Sequence, residues 1–360
     1  MTARAGRPDR AVQVGLLGCG VIAYWAHLRA LRRLPGARLV AAADADAAAR
    51  TRAHDLTGVP VYQSIDELLA RPGLEAVVIS LPTHLHAEAA IAAAAAGKHF
   101  YVEKPIATTV AEGRRVIEAA DRAGVVGAVG YNRRFHPLCR WARRLLAGGI
   151  IGRVHGAVTA FCEPLAGDAL PPWRRRRATG GGVLLDLASH HVDLLRWLLA
   201  DEVESARATV RSDLSEQDSA RLELTMRGGV EVQGYFSYRA GLADFVELIG
   251  ERGTLRVDRH APTLRIRTPR RFGYGVRRRA LRPSGDVALW RLQRLVRPSA
   301  DPSYRRSLEA FVRRLRGEGP GPASLEDGLR SLEVVVAAEA SAQGQEPSTG
   351  SGAPGLCASS

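Results

Sequence analysis

Between Val12 and Gly130, short apolar runs alternate with longer Ala-rich or amphipathic segments. The runs at 12–17, 38–43, 76–81, 99–102 and 125–129 are nearly continuous in apolar residues. That pattern predicts strands covered on both faces by helices, hence a parallel, doubly wound α/β sheet. Two capping boxes, Ser64-x-x-Glu67 and Thr109-x-x-Glu112, mark helix starts. Beyond residue 150 the period shortens to two, with alternating segments at 154–161, 203–210, 220–226, 230–238, 245–250 and 254–257. Turns such as Arg227-Gly228-Gly229 join them, which predicts a second, α+β domain with a mostly antiparallel open sheet. Helices are expected at 183–199, 303–316 and 324–342. The expected division is a disordered start at 1–10, a first domain at 11–135, a second at 136–342 whose last helix packs back on the first, and a disordered Gly/Ser/Pro-rich tail at 343–360.

Composition narrows the class. Of 360 residues, 46% are hydrophobic and 24% charged, which fits a packed globular chain and argues against intrinsic disorder. The longest apolar stretch, 11–26, contains three glycines and Gln13, so no membrane span is expected. Arg4, Arg7 and Arg10 precede it as in a secretory leader, but cleavage there would remove the glycine motif described next. Four scattered cysteines form no C-x-x-C pair, so neither a disulfide framework nor a bound metal is expected, and the location expected is cytoplasmic. The net charge of +14 is uneven: residues 255–316 hold 18 Arg against Asp258, Asp286, Asp301 and Glu309. Such a stretch can attract phosphate. Without a helix-turn-helix or zinc-finger pattern beside it, nucleic acid is not the expected partner.

The first strand runs into Gly18-Cys19-Gly20-Val21-Ile22-Ala23, a G-x-G-x-x-A turn opening a helix. Gly18 permits a tight turn, Gly20 lets a pyrophosphate approach the backbone, and Ala23 allows close helix–strand packing. Asp44 ends the second strand, where its carboxylate can accept hydroxyls of the adenosine ribose and repel a 2′-phosphate. A Rossmann domain binding NAD, rather than NADP, is the expectation.

Further stretches extend this picture: Leu81-Pro82-Thr83-His84-Leu85-His86, Gly97 through Glu103-Lys104-Pro105, Asn132-Arg133-Arg134-Phe135-His136-Pro137, Gly180-Gly181-Gly182 through Asp186 and His190, and Glu326-Asp327-Gly328-Leu329. With the glycine turn, and in this order over 12–343, they resemble the glucose-fructose oxidoreductase, inositol dehydrogenase and rhizopine-catabolism (Gfo/Idh/MocA) family of two-domain NAD(P)-dependent oxidoreductases. The resemblance implies a catalytic group of Lys104, Asp186 and His190, with Leu81, Pro82, His86, Glu103 and Lys104 lying along the cofactor beside Gly18, Cys19, Gly20, Val21, Ile22 and Asp44. Chemistry agrees. A neutral imidazole can take the hydroxyl proton as hydride leaves carbon, and a lysine can brace developing alkoxide charge. The i, i+4 spacing puts Asp186 and His190 on one helix face, so Asp186 is expected to orient the imidazole or join a proton relay.

Neighbouring residues divide less sharply. His191 continues the apolar stripe of Leu184, Leu187, Leu194, Leu195 and Leu198 and reads as a packed histidine. Asp193 either meets substrate hydroxyls or orients the helix. Arg134 is a candidate substrate contact. Trp173 and Arg174 to Arg177 either line a substrate entrance or form a solvated loop. Two departures from the family pattern stand out: Ala188 where Gly is usual, and a longer Arg-rich connection at 269–298 containing Trp290. The reaction implied is reversible oxidation of a secondary ring alcohol of a sugar, amino sugar or cyclitol, free or nucleotide-linked, by a bacterial homo-oligomer (dimer or tetramer) joined through the second-domain sheet. An NAD-dependent glycosidase or epimerase using transient oxidation, and a non-catalytic dinucleotide-binding regulator, remain open alternatives.

Overall fold

Strands β1 (Val12–Leu17), β2 (Ala37–Ala43), β3 (Val61–Tyr62), β4 (Ala76–Ile79), β5 (His99–Val102) and β6 (Gly127–Val129) form one sheet in the order β3-β2-β1-β4-β5-β6, every pair parallel. The order reverses between β1 and β4, and ligands of open α/β sheets bind at such a switch point, outside the carboxyl ends of the strands. The structure is a computed structural model; it describes residues 10–165, 170–269, 276–278, 283–296 and 301–344. The expected disorder at both termini therefore falls almost wholly outside the described residues.

Helices α1 (Leu28–Leu31), α2 (Ala47–Thr57), α3 (Ile65–Leu69), α4 (His86–Ala95) and α5 (Val110–Ala123) connect these strands. A π-type turn at Ala23–His27 leads into α1. In α4 the buried side chains besides His86 are alanines, which lets the helix lie close on the sheet. Thr109 and Glu112 close a full capping box on α5. The Ser64 box is only half formed: Ser64 accepts the Glu67 amide, but the Glu67 carboxylate turns to the amide of Gln63. Strand β3 was not foreseen, because Val61-Tyr62 is too short for periodicity to register.

After α6 (Pro137–Ala147) comes the second sheet, built from β7 (Val154–Cys162), β8 (Val203–Arg211), β9 (Ser219–Met226), β10 (Glu231–Ser237), β11 (Ala243–Gly250), β12 (Gly253–Asp258), β13 (Thr263–Pro269) and β14 (Val276–Arg278). Its order is β14-β13-β12-β11-β7-β10-β9-β8, antiparallel except where β10 runs parallel to β7. A π-type turn at Leu184–Ala188 leads into α7 (Ser189–Leu199) on the covered face. Three further helices follow: α8 (Gly285–Val296), α9 (Ser303–Leu315) and α10 (Leu325–Gln343).

The last two helices both reach the first domain. Leu308, Phe311 and Val312 of α9 share one apolar cluster with Val14, Leu16 and Val78, so α9 packs on the first sheet although it follows the second in sequence. Helix α10 lies against α5 and β8 together, and Val129 of β6 bridges to Ala323 just before it. The two sheets are thus clasped by the C-terminal helices, and the loops after β4, β5 and β6 face the start of α7.

Candidate active site

At the end of β1, Gly18 adopts φ +90, and a Cβ there would stand 2.4 Å from the Ser80 carbonyl oxygen, so only glycine fits. Gly20 has open space where a side chain would be. The following Val21 and Ile22 are exposed apolar residues at the mouth of this turn. Asp44 holds the turn together: one carboxylate oxygen accepts the Cys19 amide at 2.6 Å and the other the Asp46 amide at 2.8 Å. An ionised carboxylate has further lone pairs, so Asp44, partly exposed, can still accept hydroxyls. Burial and the nearby Asp44 push the Cys19 thiol up to about 12, which leaves it a neutral packing group. A glycine cradle, a helix start and a carboxylate at the second strand end together fit a dinucleotide.

The Glu-Lys-Pro loop after β5 aims Lys104 at the second domain. Its ammonium donates to the Asp186 carboxylate at 3.0 Å and to the Asp186 carbonyl at 2.7 Å. Tyr238, fully buried, donates its hydroxyl to the other Asp186 oxygen at 2.8 Å, and Arg174 donates to that same oxygen. Burial alone would raise the Asp186 carboxyl, but Lys104 and Arg174 outweigh it and hold it well below the usual carboxylate range. Asp186 is therefore an ionised anchor.

His190 lies one turn further on, partly exposed, its ring 6.0 Å from that of Phe161. Burial, then the charges of Lys104 and Arg133, depress its pKa well below 6.5, so the ring is neutral. Its Nδ1 has no hydrogen-bond partner among the described residues. A buried polar atom left open costs about 1–3 kcal/mol and is expected where a ligand or water completes the site. No hydrogen bond joins Asp186 to His190 among the described residues. The expected orienting contact is thus corrected: the carboxylate is committed to Lys104, Arg174 and Tyr238.

His191 faces the core, as expected, but within a polar network. Its Nδ1–H donates to the Thr159 hydroxyl, which itself donates to the Phe245 carbonyl at 3.0 Å. Nε2 then accepts from Arg133, whose guanidinium pairs with Asp244 at 2.6 Å. Burial, then Arg133, lowers the His191 pKa to about 4.

The remaining candidates are held in networks within the protein. Asp193 is wholly buried and chelated by Arg134, which also reaches Asp327 at 2.9 Å before α10 begins its second turn. Of its two expected roles Asp193 thus fits the orienting one, and Arg134 is turned to protein carboxylates, tying α7 and α10 to the loop after β6. His86 is 1% exposed, with Nδ1 2.7 Å from the Pro105 carbonyl and Nε2 2.9 Å from that of Leu81, so it braces two cofactor-side loops from beneath. Glu103 is turned to His27 at 2.8 Å, linking the lysine loop to the helix after the glycine turn. Leu81 and Pro82 stand in the turn after β4, whose His84 lies 3.2 Å from the Thr179 carbonyl of the second domain. Gly180, at φ +103, passes so close to Thr83 that a Cβ would overlap it at 2.2 Å.

The segment holding Trp173 forms two short 3-10 turns, Pro172–Arg175 and Arg177–Thr179. Trp173 is partly exposed beside Arg174, while Arg177 pairs with Glu339 of α10. Sequence reasoning missed Tyr238, His27 and the Arg133–Asp244 pair. Tyr238 had a usable signal: it continues the inward-facing positions of β10, where a tyrosine needs a partner for its hydroxyl.

Comparisons with known proteins identify the family. Residues 12–131 match the model of the oxidoreductase family with an NAD-binding Rossmann fold, and residues 139–256 match the Gfo/Idh/MocA C-terminal domain. The chain is 33% identical to inositol 2-dehydrogenase 2 of Saccharopolyspora erythraea over 91% of each chain. It is 32% identical to 1,5-anhydro-D-fructose reductase of Ensifer adhaerens, over 80% of this chain and 84% of that protein. Among solved structures, the WlbA dehydrogenase of Bordetella pertussis, determined with NADH and UDP-GlcNAcA, superposes with a TM-score of 0.81 at 26% identity, over 93% of this chain and 96% of that one. No helix among the described residues is long and apolar enough to cross a membrane. The chain belongs to the Gfo/Idh/MocA family of oxidoreductases, with an NAD-binding Rossmann domain at its N-terminal end.

Proposed function

We propose that this enzyme reversibly oxidises a secondary ring hydroxyl of a sugar, amino sugar or cyclitol, free or nucleotide-linked, to the ketone, with NAD as the hydride acceptor. The observation that carries the reading is the meeting of Lys104 from the first domain with Asp186 from the second, one helical turn from a neutral His190 whose buried Nδ1 is unpaired among the described residues. Bound NAD supplies the hydride-accepting nicotinamide. Asp186 holds Lys104 rigidly, and Lys104 holds the substrate oxygen and stabilises the negative charge that grows on it. His190 accepts the hydroxyl proton; Asp186 is too acidic for that task. Gly18, Cys19, Gly20, Val21 and Ile22 form the pyrophosphate turn, and Asp44 receives the ribose hydroxyls.

Relatives that act on inositol and anhydrofructose, and a neighbour crystallised with a nucleotide sugar, support the polyhydroxylated ring as substrate class. Free NADH accumulating with a panel of sugars, cyclitols and nucleotide sugars tests the proposal. A product with a cleaved glycosidic bond, or no turnover with NAD bound, would transfer the chain to a glycosidase or a regulator. A homo-oligomer formed through the open face of the second sheet is part of the proposal, because Val158, Tyr235 and Ile249 stand exposed on the adjacent strands β7, β10 and β11.

A further inference from the structure

Helix α8 is apolar on two opposite faces. Val287 and Trp290 are buried toward α6, with the Trp290 ring edge-on to His136 at 4.9 Å. On the other side Leu289, Leu292 and Val296 recur at the i, i+3, i+7 spacing of a single stripe, exposed by 54%, 62% and 83%, with Leu295 beside them. The outer face of a surface helix is ordinarily polar. A contiguous aliphatic stripe there marks a contact surface, whereas isolated exposed leucines need no explanation.

Charge selects the partner. The stripe lies within the 255–316 segment, where 18 Arg face four acidic residues. Arg291 is exposed on α8, and among the described residues it makes no ion pair. Arg306 of α9 lies 3.8 Å from Asp286 in the first turn of α8, and Arg140 of α6 and exposed Arg305 of α9 both crowd Arg306 with like charge. Cations of α6 and α9 thus gather around Glu309 of α9 and Asp286 in the first turn of α8, one helical turn before Leu289, and Arg291 adds a further cation along α8. A second copy presenting the same face would bring these cations against each other, which like-charge repulsion opposes. Single-stranded nucleic acid stacks on aromatic rings, and the one aromatic ring of α8, Trp290, is buried. An anionic lipid surface answers both features, taking aliphatic side chains into its headgroup layer and arginines onto its phosphates.

We propose that α8, flanked by Arg140 and Arg305, docks this enzyme on anionic membrane surfaces. The test is flotation of the full chain with vesicles of phosphatidylcholine alone and of phosphatidylcholine mixed with phosphatidylglycerol. The expected result is binding to the anionic vesicles only, released by high salt. Arg291→Gln is expected to weaken it about fivefold, the effect of one surface arginine. The double variant Leu289→Asp with Leu292→Asp is expected to abolish it with the melting temperature unchanged, since both side chains already face solvent. Absence of binding, equal binding to phosphatidylcholine alone, or full binding by the double variant would each overturn the proposal. A lower sedimentation mass of the double variant without lipid, or loss of polyuridylate binding in it, would assign the stripe to a second copy or to RNA and overturn it as well.

Discussion

Lys104 and Asp186 are 82 residues apart in the chain, yet the lysine ammonium meets both the carboxylate and the backbone carbonyl of Asp186. One pair therefore ties the Rossmann loop to the start of α7, inside the π-type turn at Leu184–Ala188. A wider helical turn displaces its residues from regular α spacing, and such turns recur at functional sites. Here the turn carries Asp186, and the carboxylate meets the lysine instead of His190.

Tyr238→Phe removes one of three donors to Asp186 while keeping the buried ring. A hydrogen bond to a charged group contributes about 1.5–3 kcal/mol, so kcat/KM should fall about tenfold or more with NAD affinity unchanged. Steady-state NADH formation measures this, and an unaltered kcat/KM would remove Tyr238 from the site.

The depressed pKa of His190 fixes the sign of the pH response. A ring already neutral at pH 6.5 loses nothing as pH falls toward that value, so kcat/KM should stay level from pH 8 to below 6.5. A pH profile that breaks at the ordinary histidine value would contradict the assignment.

Stability should respond to acid through His191. The ring titrates near 4 in the folded chain and near 6.5 when unfolded, so the unfolded state takes up the proton first. This contribution is fully present above pH 6.5 and is lost as pH falls toward 4, about 3 kcal/mol in all. Urea unfolding across that range should show a shallower acid slope in His191→Asn than in the parent; equal slopes would locate the acid sensitivity elsewhere.

Asp44→Ala should weaken NAD binding about tenfold or more and reduce the preference for NAD over NADP, read as the ratio of kcat/KM values. The same variant loosens the Cys19 turn, so Asp44→Asn, which keeps an acceptor, should recover part of the NAD affinity. An unchanged NAD to NADP ratio in both variants would count against the ribose role.

Tyr235→Asp, on the open sheet face, should lower the mass seen by sedimentation without lowering the melting point of the fold. A mass unaffected by the change would place any subunit contact elsewhere.

Much of this molecule was legible in its sequence where local physics decides. Strands β1 and β5 fall at the expected residues because continuous apolar runs between glycine turns admit little else. Lys104, Asp186 and His190 were singled out through motif order, and the structure brings Lys104 and Asp186 together. What escaped was set by distant partners. Helix α9 joins the first sheet through contacts that no local pattern encodes. Asp193 stayed open between substrate contact and helix orienter, and Arg134 was a candidate substrate contact, because spacing alone cannot tell a ligand contact from a buried ion pair. Helix α8 was hidden because an Arg-rich segment with apolar residues on two faces reads as a solvated connection.

The most direct measurement of the central claim is a single turnover with His190→Ala and Lys104→Ala, with NAD affinity determined on the same samples by calorimetry. NAD is expected to bind about as tightly as in the parent in both, with hydride transfer slowed by about 10²–10⁴-fold. Undiminished hydride transfer in either variant would contradict the claim.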